Sequence, residues 1–228
     1  MVTFSLERVF FFDIDNCLYP PDRGIDRLMK ERIYEYGCKA GISKDTVIGT
    51  CERYYADYGL SIRGLLMHHG IDPVKFDAEV DGSLPIEQLI KPDPQLRAML
   101  ERVSIRRWAF TNAGYNHAQR VLRCLKVEDL FEGITYCNYA EPDFPCKPER
   151  PAYERAMKEA GAGDASLCYF VDDNPSNVAA ARSFGWTAVL AQPSVDGVCA
   201  EDGRQQVQTV HQLPLALPRL FGRERPAA

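Results

Sequence analysis

The sequence has no apolar stretch long enough to span a bilayer. It has no excess of basic charge either. Its 27 Lys and Arg stand against 32 Asp and Glu, for a net charge of −5. That balance excludes broad electrostatic binding to nucleic acid or to an acidic membrane. There is no Cys-x-x-Cys pair, and no cysteine has a histidine at metal-ligand spacing. The eight cysteines (Cys17, Cys38, Cys51, Cys124, Cys137, Cys146, Cys168 and Cys199) are scattered. Neither a zinc module nor a small disulfide scaffold fits them. The first residues show no basic region, apolar run and cleavage site, so no secretory signal is expected. With reduced thiols, this makes a cytoplasmic protein the expectation. No internal repeat or low-complexity segment interrupts the chain.

What is present is enough apolar residue, 46% of 228, to bury a sizeable core. The segment around which the chain is organised is Arg8-Val-Phe-Phe-Phe-Asp-Ile-Asp-Asn-Cys-Leu-Tyr19. An apolar run that stops abruptly at Asp13 reads as a buried strand of a parallel sheet, expected over Ser5 to Asp13. Ligands of open α/β sheets bind beyond the carboxyl ends of such strands. Asp13 and Asp15 stand there with Ile14 pointing the other way. Carboxylates held so close stay ionised around a divalent cation, or split into a base and an acid.

After a turn at 19–24, helical periodicity runs through most of the next seventy residues, with helices expected over 25–38, 44–58 and 61–69 and from 72. Ser43 is the expected N-cap of the second. Turn signals follow at 81–85 and 91–94. From 95 onward, helices of about a dozen residues alternate with strands expected at 107–111, 133–136, 167–171, 187–190 and 205–210, while the tail 223–228 reads as frayed. The fold class is therefore α/β, a Rossmann-like parallel sheet. Residues 1–19 and 94–228 form its core, and 20–93 an inserted helical domain.

Three later segments carry chemistry. Thr111, in Phe110-Thr-Asn112, closes a strand with a hydroxyl donor, though alone it reads better as a turn residue or helix cap. Lys147 precedes a proline-started helix; most lysines in such places are solvated. Asp172 and Asp173 end another apolar run, where a turn is the ordinary reading and Mg²⁺ ligation the chemical one.

Phe12-Asp-Ile-Asp-Asn-Cys-Leu-Tyr19 resembles the first motif, Asp-x-Asp-x-Thr/Val, of the haloacid dehalogenase-like (HAD) phosphotransferases, and is closest to their pyrimidine 5′-nucleotidase branch. Cys17 stands at the Thr/Val position. Thr111, Lys147 and Asp172/Asp173 follow in the order of the second, third and fourth motifs of that family. The resemblance covers about Glu7 to Leu190 and implies a HAD-like core with a helical cap over the site. It implies an aspartyl-phosphate on Asp13, acid–base catalysis by Asp15, and phosphoryl oxygens held by Thr111 and Lys147. Mg²⁺ would be bound by Asp13, the Asp15 carbonyl and Asp173, with Asp172 acting through water or by holding Lys147. The family's dehalogenases lack the second Asp, so its presence favours phosphoryl transfer.

The substrate is then a small phosphomonoester, foremost a pyrimidine nucleoside 5′-monophosphate. Asn16, Tyr19, Arg63, Asn112 and His117 are its candidate contacts. Arg120 is expected to face solvent, and His68-His69 to be ordinary cap residues. A sugar phosphatase, a lysophosphatidic acid phosphatase, a phosphomutase or a non-catalytic binding protein on the same fold are the alternatives.

Overall fold

The computed structural model describes residues 7–193 and 205–222. Its central strand is β1 (Val9–Phe12), buried along its whole length. A strand buried on both faces belongs inside a sheet covered on both sides. Pleating sends Phe10 and Phe12 to one face and Val9 and Phe11 to the other. On the first face the rings of Phe10 and Phe12 stack 4.2 Å apart. On the second, Phe11 stacks on Trp186 at 4.6 Å.

The sheet has six parallel strands in the order β3–β2–β1–β4–β5–β6. The others are β2 (Arg106–Phe110), β3 (Ile134–Thr135), β4 (Cys168–Asp172), β5 (Thr187–Ala191) and β6 (Gln205–Val207). Helices α6 (Pro94–Glu101), α7 (Tyr115–Leu125) and α10 (Leu213–Ala216) cover the Phe10/Phe12 face. Helices α8 (Arg150–Ala160) and α9 (Pro175–Ser183) cover the other. The chain passes from β1 out to β2 and β3, then crosses back to β4. The crevice at this reversal, beyond the carboxyl ends of β1, β2 and β4, is where such sheets bind ligands. Phe12 pairs in register with Ala109 and with Val171. The residues following these three strands therefore emerge side by side.

The inserted helices are α1 (Ile25–Lys39), α2 (Val47–Tyr58), α3 (Ser61–His69) and α4 (Pro73–Glu79). Their own apolar cluster joins Tyr36, Val47, Cys51, Tyr54, Leu65 and Phe76, and it takes in Cys137, Phe144 and Cys146 from the core. Helices α2 and α3 touch so closely at Gly64 that an added Cβ would meet the Tyr54 ring at 2.2 Å. His68 and His69 each hydrogen-bond a tyrosine, Tyr58 at 2.8 Å and Tyr54 at 3.0 Å, as ordinary cap residues do.

Three expectations shift. Helix α2 starts at Val47 rather than 44 because the Ser43 hydroxyl accepts from the Asp45 N–H and holds a turn there. A short α5 (Ile86–Leu89) lies between the two turn signals. Leu84, Ile86 and Ile90, assigned to the insert by a boundary at 93, are buried in the core's own cluster. Ser5 and Leu6 of the expected first strand, Cys199 and the tail 223–228 lie outside the described residues. No helix among the described residues is long and apolar enough to cross a membrane.

Candidate active site

Asp13 follows β1, and its backbone N–H bonds the Val171 carbonyl at 2.9 Å, extending the ladder by one residue. Its side chain meets Lys147, whose Nζ donates to Asp13 Oδ1 at 2.7 Å, Asp172 Oδ2 at 2.7 Å and the Phe110 carbonyl at 2.8 Å. All three ammonium protons are thereby used. Lys147 is only 2% exposed. A cation buried so deeply stays charged only when fully paired. Burial alone would push the Lys147 ammonium down, but Asp13 and Asp172 outweigh it and raise it above the ordinary lysine value. Burial pushes the Asp13 carboxyl well up, Asp172 and Asp173 add to this, and Lys147 opposes it.

Lys147 is held from behind by Asn112. The Lys147 N–H donates to Asn112 Oδ1 at 2.7 Å, and Asn112 Nδ2 donates to the Lys147 carbonyl at 2.9 Å. Both ends of that amide are committed to backbone, so Asn112, a candidate substrate contact, works here as a clamp. Thr111 Oγ1 accepts from the Ala113 N–H at 3.0 Å and donates to no group among the described residues, which leaves its hydroxyl proton for a ligand. Asp172 also accepts from Asn177 Nδ2 and from the Asn174 N–H. Both its oxygens are taken, which fits the holding role toward Lys147.

Asp15 has a separate environment. The chain stays extended through Ile14, which is buried on the Phe10/Phe12 face as expected, and then turns, Leu18 N–H bonding the Ile14 carbonyl at 3.0 Å. Asn16 sits in the left-handed region at φ 59°, a conformation that Asn tolerates better than most residues. Cys17 packs into the core cluster, its thiol kept neutral by burial. The turn brings Asp15 Oδ1 to the Tyr19 hydroxyl, which donates at 2.5 Å, and to His117 Nε2 at 2.7 Å. His117 is 1% exposed, so it stands behind Asp15 and not in the crevice as a substrate contact would. Burial raises the Asp15 carboxyl, but His117 and Tyr19 together hold it below its ordinary value. Burial lowers His117, but Asp15 lifts it above its own. Both directions favour an ionised Asp15 beside a protonated His117.

Asp13, Asp172 and Asp173 offer carboxylate oxygens within 4.8 Å of one another. An all-oxygen donor set of this kind suits a hard divalent cation such as Mg²⁺. Burial, then Asp172, pushes Asp173 up to about 7. Such crowding is what a bound cation relieves.

Between the site and the cap lies a cavity of about 170 Å³. Ile25, Met29, Ile33, Leu60, Ile62 and Phe76 supply its apolar wall; Asp15, Asn16 and Asp81 supply polar groups. Arg63 is elsewhere. Its guanidinium pairs with Glu149 and donates to the Tyr58 carbonyl at 2.9 Å, joining cap to core. Arg120, expected in solvent, bonds Glu87 Oε1 and Oε2 at 2.9 and 2.8 Å and the carbonyls of Asp81, Gly82 and Leu84.

Asp81 is the residue that sequence reading missed. Asp81-Gly-Ser reads as a turn, and it is one, but the Asp side chain points inward and is 2% exposed. Burial, with Asp77 adding, raises its carboxyl to about 6 even though His117 and Tyr139 oppose this. A raised carboxyl means that the folded state holds the proton more tightly than the unfolded one. Ionised Asp81 therefore costs stability, a cost that accrues as pH rises from about 4 to 6 and is complete above. Asp81→Asn should raise the melting temperature at pH 7 by an amount equivalent to on the order of 3 kcal/mol, and hardly change it at pH 4. Thermal unfolding of both proteins at the two pH values measures this. An equal change at both would remove the ionised carboxylate as the cause.

A family model described as haloacid dehalogenase-like hydrolase matches residues 7–185. Phosphate metabolism protein 8 of Saccharomyces cerevisiae is 37% identical over 195 residues, or 80% of this chain. The chain spans about 61% of the length of that curated relative. Among solved structures, a HAD phosphatase from Thermococcus onnurineus is similar with a TM-score of 0.57 and 21% identity, covering 92% of this chain and 97% of that one. An L-2-haloacid dehalogenase from Xanthobacter autotrophicus gives a TM-score of 0.56 and 16% identity, covering 93% of this chain and 98% of its own. At such identities these two show a shared fold.

Proposed function

The chain belongs to the haloacid dehalogenase-like hydrolases, and we propose that it is a Mg²⁺-dependent phosphatase of small phosphomonoesters, with pyrimidine nucleoside 5′-monophosphates preferred. The observation that carries this reading is the division of two carboxylates one residue apart. Asp13 is wired to Lys147, and Asp15 to His117 and Tyr19. A halide leaves without a proton, whereas an alkoxide needs one, and Asp15, bonded to His117 and Tyr19, is placed to relay it.

Asp13 attacks phosphorus in line, its carboxylate oxygen forming the new P–O bond as the ester P–O bond breaks. The anionic ester raises the Asp15 carboxyl, which takes up a proton on Oδ2 and passes it to the leaving oxygen. Asp15 Oδ1 is tied by its two partners, which leaves Oδ2 to face the cavity. Water then attacks the aspartyl-phosphate, gives its proton back to Asp15 and restores Asp13. Thr111 donates its free hydroxyl proton to a phosphoryl oxygen. Lys147 offsets the charge of Asp13 while its own protons remain on Asp13, Asp172 and Phe110. Asp13, Asp173 and the Asp15 carbonyl would hold Mg²⁺, which when bound screens nucleophile from phosphate.

The cavity supports a small leaving group. Its roughly 170 Å³ lies below the ~300–1,000 Å³ of pockets for drug-sized ligands. An apolar wall facing the strand-end polar groups suits a pyrimidine ring with its sugar better than a purine or an acyl chain.

Phosphate release from 5′-mononucleotides, sugar phosphates and lysophosphatidic acid, with Mg²⁺ and with EDTA, tests the reading. The expected result is release that falls at least about 100-fold in EDTA and is fastest per substrate on UMP and CMP. Release concentrated on another ester overturns the nucleotide preference, and no release from any overturns the phosphatase.

A further inference from the structure

The cavity under the cap is lined by no lysine, arginine or histidine. Its hydrogen-bond donors are mostly spent within the protein. Tyr19 donates to Asp15, Tyr139 to Asp81, Ser61 to the Cys51 carbonyl, and the Asn112 amide to Lys147. Asp81 is different. Its Oδ2 accepts from Tyr139 Oη at 3.1 Å and from the Gly114 N–H at 3.5 Å, which fixes the carboxylate. Its Oδ1 has no hydrogen-bond partner among the described residues, although the side chain is buried and lines the cavity. An acceptor that opens into a cavity with no partner in the protein is placed to take a donor from a ligand. Asp77 stands behind it, with a buried oxygen of its own unpartnered, and adds to the negative field.

We propose that Asp81 selects the leaving group, its free oxygen accepting from a hydroxyl or N–H of that group and its charge turning away leaving groups that carry a further anion. This rests on the phosphomonoesterase reading and narrows it. The ester taken is a neutral polyol or nucleoside monophosphate, and not a phosphorylated acid, a bisphosphate or a nucleoside diphosphate. The position of Asp81 is suited to this. It lies where the chain returns from cap to core, against the first turn of α7. No hydrogen bond or ion pair joins it to Asp13 or Lys147, and its charge reaches Asp15 only through His117, so its first effect is on the leaving group.

The test compares UMP and ribose 5-phosphate (donor-bearing and neutral), phenyl phosphate (no donor) and phosphoglycolate (a carboxylate on the leaving group). In the unaltered protein, kcat/KM for the better donor-bearing ester should exceed that for phosphoglycolate by at least about 100-fold. Equal values would overturn the proposal. In Asp81→Asn, the ratio of the donor-bearing esters to phenyl phosphate should fall about 10-fold and that of phosphoglycolate to phenyl phosphate should rise by a similar factor. A uniform fall in all four, the mark of a structural role, would overturn it, and so would unchanged ratios. Calorimetric binding of the same esters to the Asp13→Asn chain, with and without Asp81→Asn, reads the preference without turnover. If the unaltered protein releases no phosphate, the phosphatase reading fails, and the binding ratios still decide the role of Asp81.

Discussion

Asp13→Asn abolishes phosphate release, with an expected loss in kcat of at least about 10⁴-fold, comparable with removal of other covalent nucleophiles. The geometry makes this a clean substitution. An asparagine Oδ1 still accepts from Lys147 Nζ, and Lys147 keeps Asp172 and the Phe110 carbonyl. One of three mutually repelling carboxylates is lost, so the fold is not destabilised. Circular dichroism and thermal unfolding alongside phosphate release separate the two effects. A folded variant that retains more than about 1% of the activity would show that another group attacks phosphorus.

The second large effect is on both function and stability. Lys147→Met leaves the Asp13 and Asp172 carboxylates buried without their cation. Breaking a buried pair from one side costs about 3–5 kcal/mol, because the remaining charge is uncompensated. Lys147 is raised above its ordinary value, so its contribution is fully present throughout the neutral range, begins to fade once pH passes the ordinary lysine value and is gone above the folded one. The deficit in Lys147→Met should be largest at pH 7–8. It should shrink on acidification, as Asp13, whose carboxyl is pushed up by burial, takes a proton instead. Activity should fall at least about 10³-fold, since charge on the transferring group loses its offset. Denaturant unfolding at pH 5 and pH 8 gives the stability arm. A loss independent of pH would mean that packing against Phe110 and Phe170, and not charge, holds Lys147 in place.

Much of the site could be read along the chain because its parts are local. Asp13, Thr111 and Asp172 each close an apolar run, and a run followed by a polar residue survives in one dimension. The residues whose surroundings the sequence did not disclose are those whose partners are distant in it. Arg63 finds Glu149 across 86 positions, His117 finds Asp15 across 102, and Asn112 finds Lys147 across 35. In each the chemical type pointed to the crevice, while the partner that occupies it was set by topology. Asp81 was hidden for the opposite reason. Its neighbours Gly82 and Ser83 are ordinary turn residues, and nothing local distinguishes an Asp that caps a turn from one folded inward. The helix boundary at 47 follows from the Ser43 side chain bonding its own turn, which no periodicity records.

The five bonds from Arg120 to the segment 81–87 have a mechanical consequence. They rivet the second cap–core crossing to α7, the same helix that carries His117. A cap that rocks open meets least resistance by turning about that rivet, as a door turns about its pin. Movement is then smallest at Asp81 and at the Asp15–His117 pair, and largest at the far ends of α2 and α3.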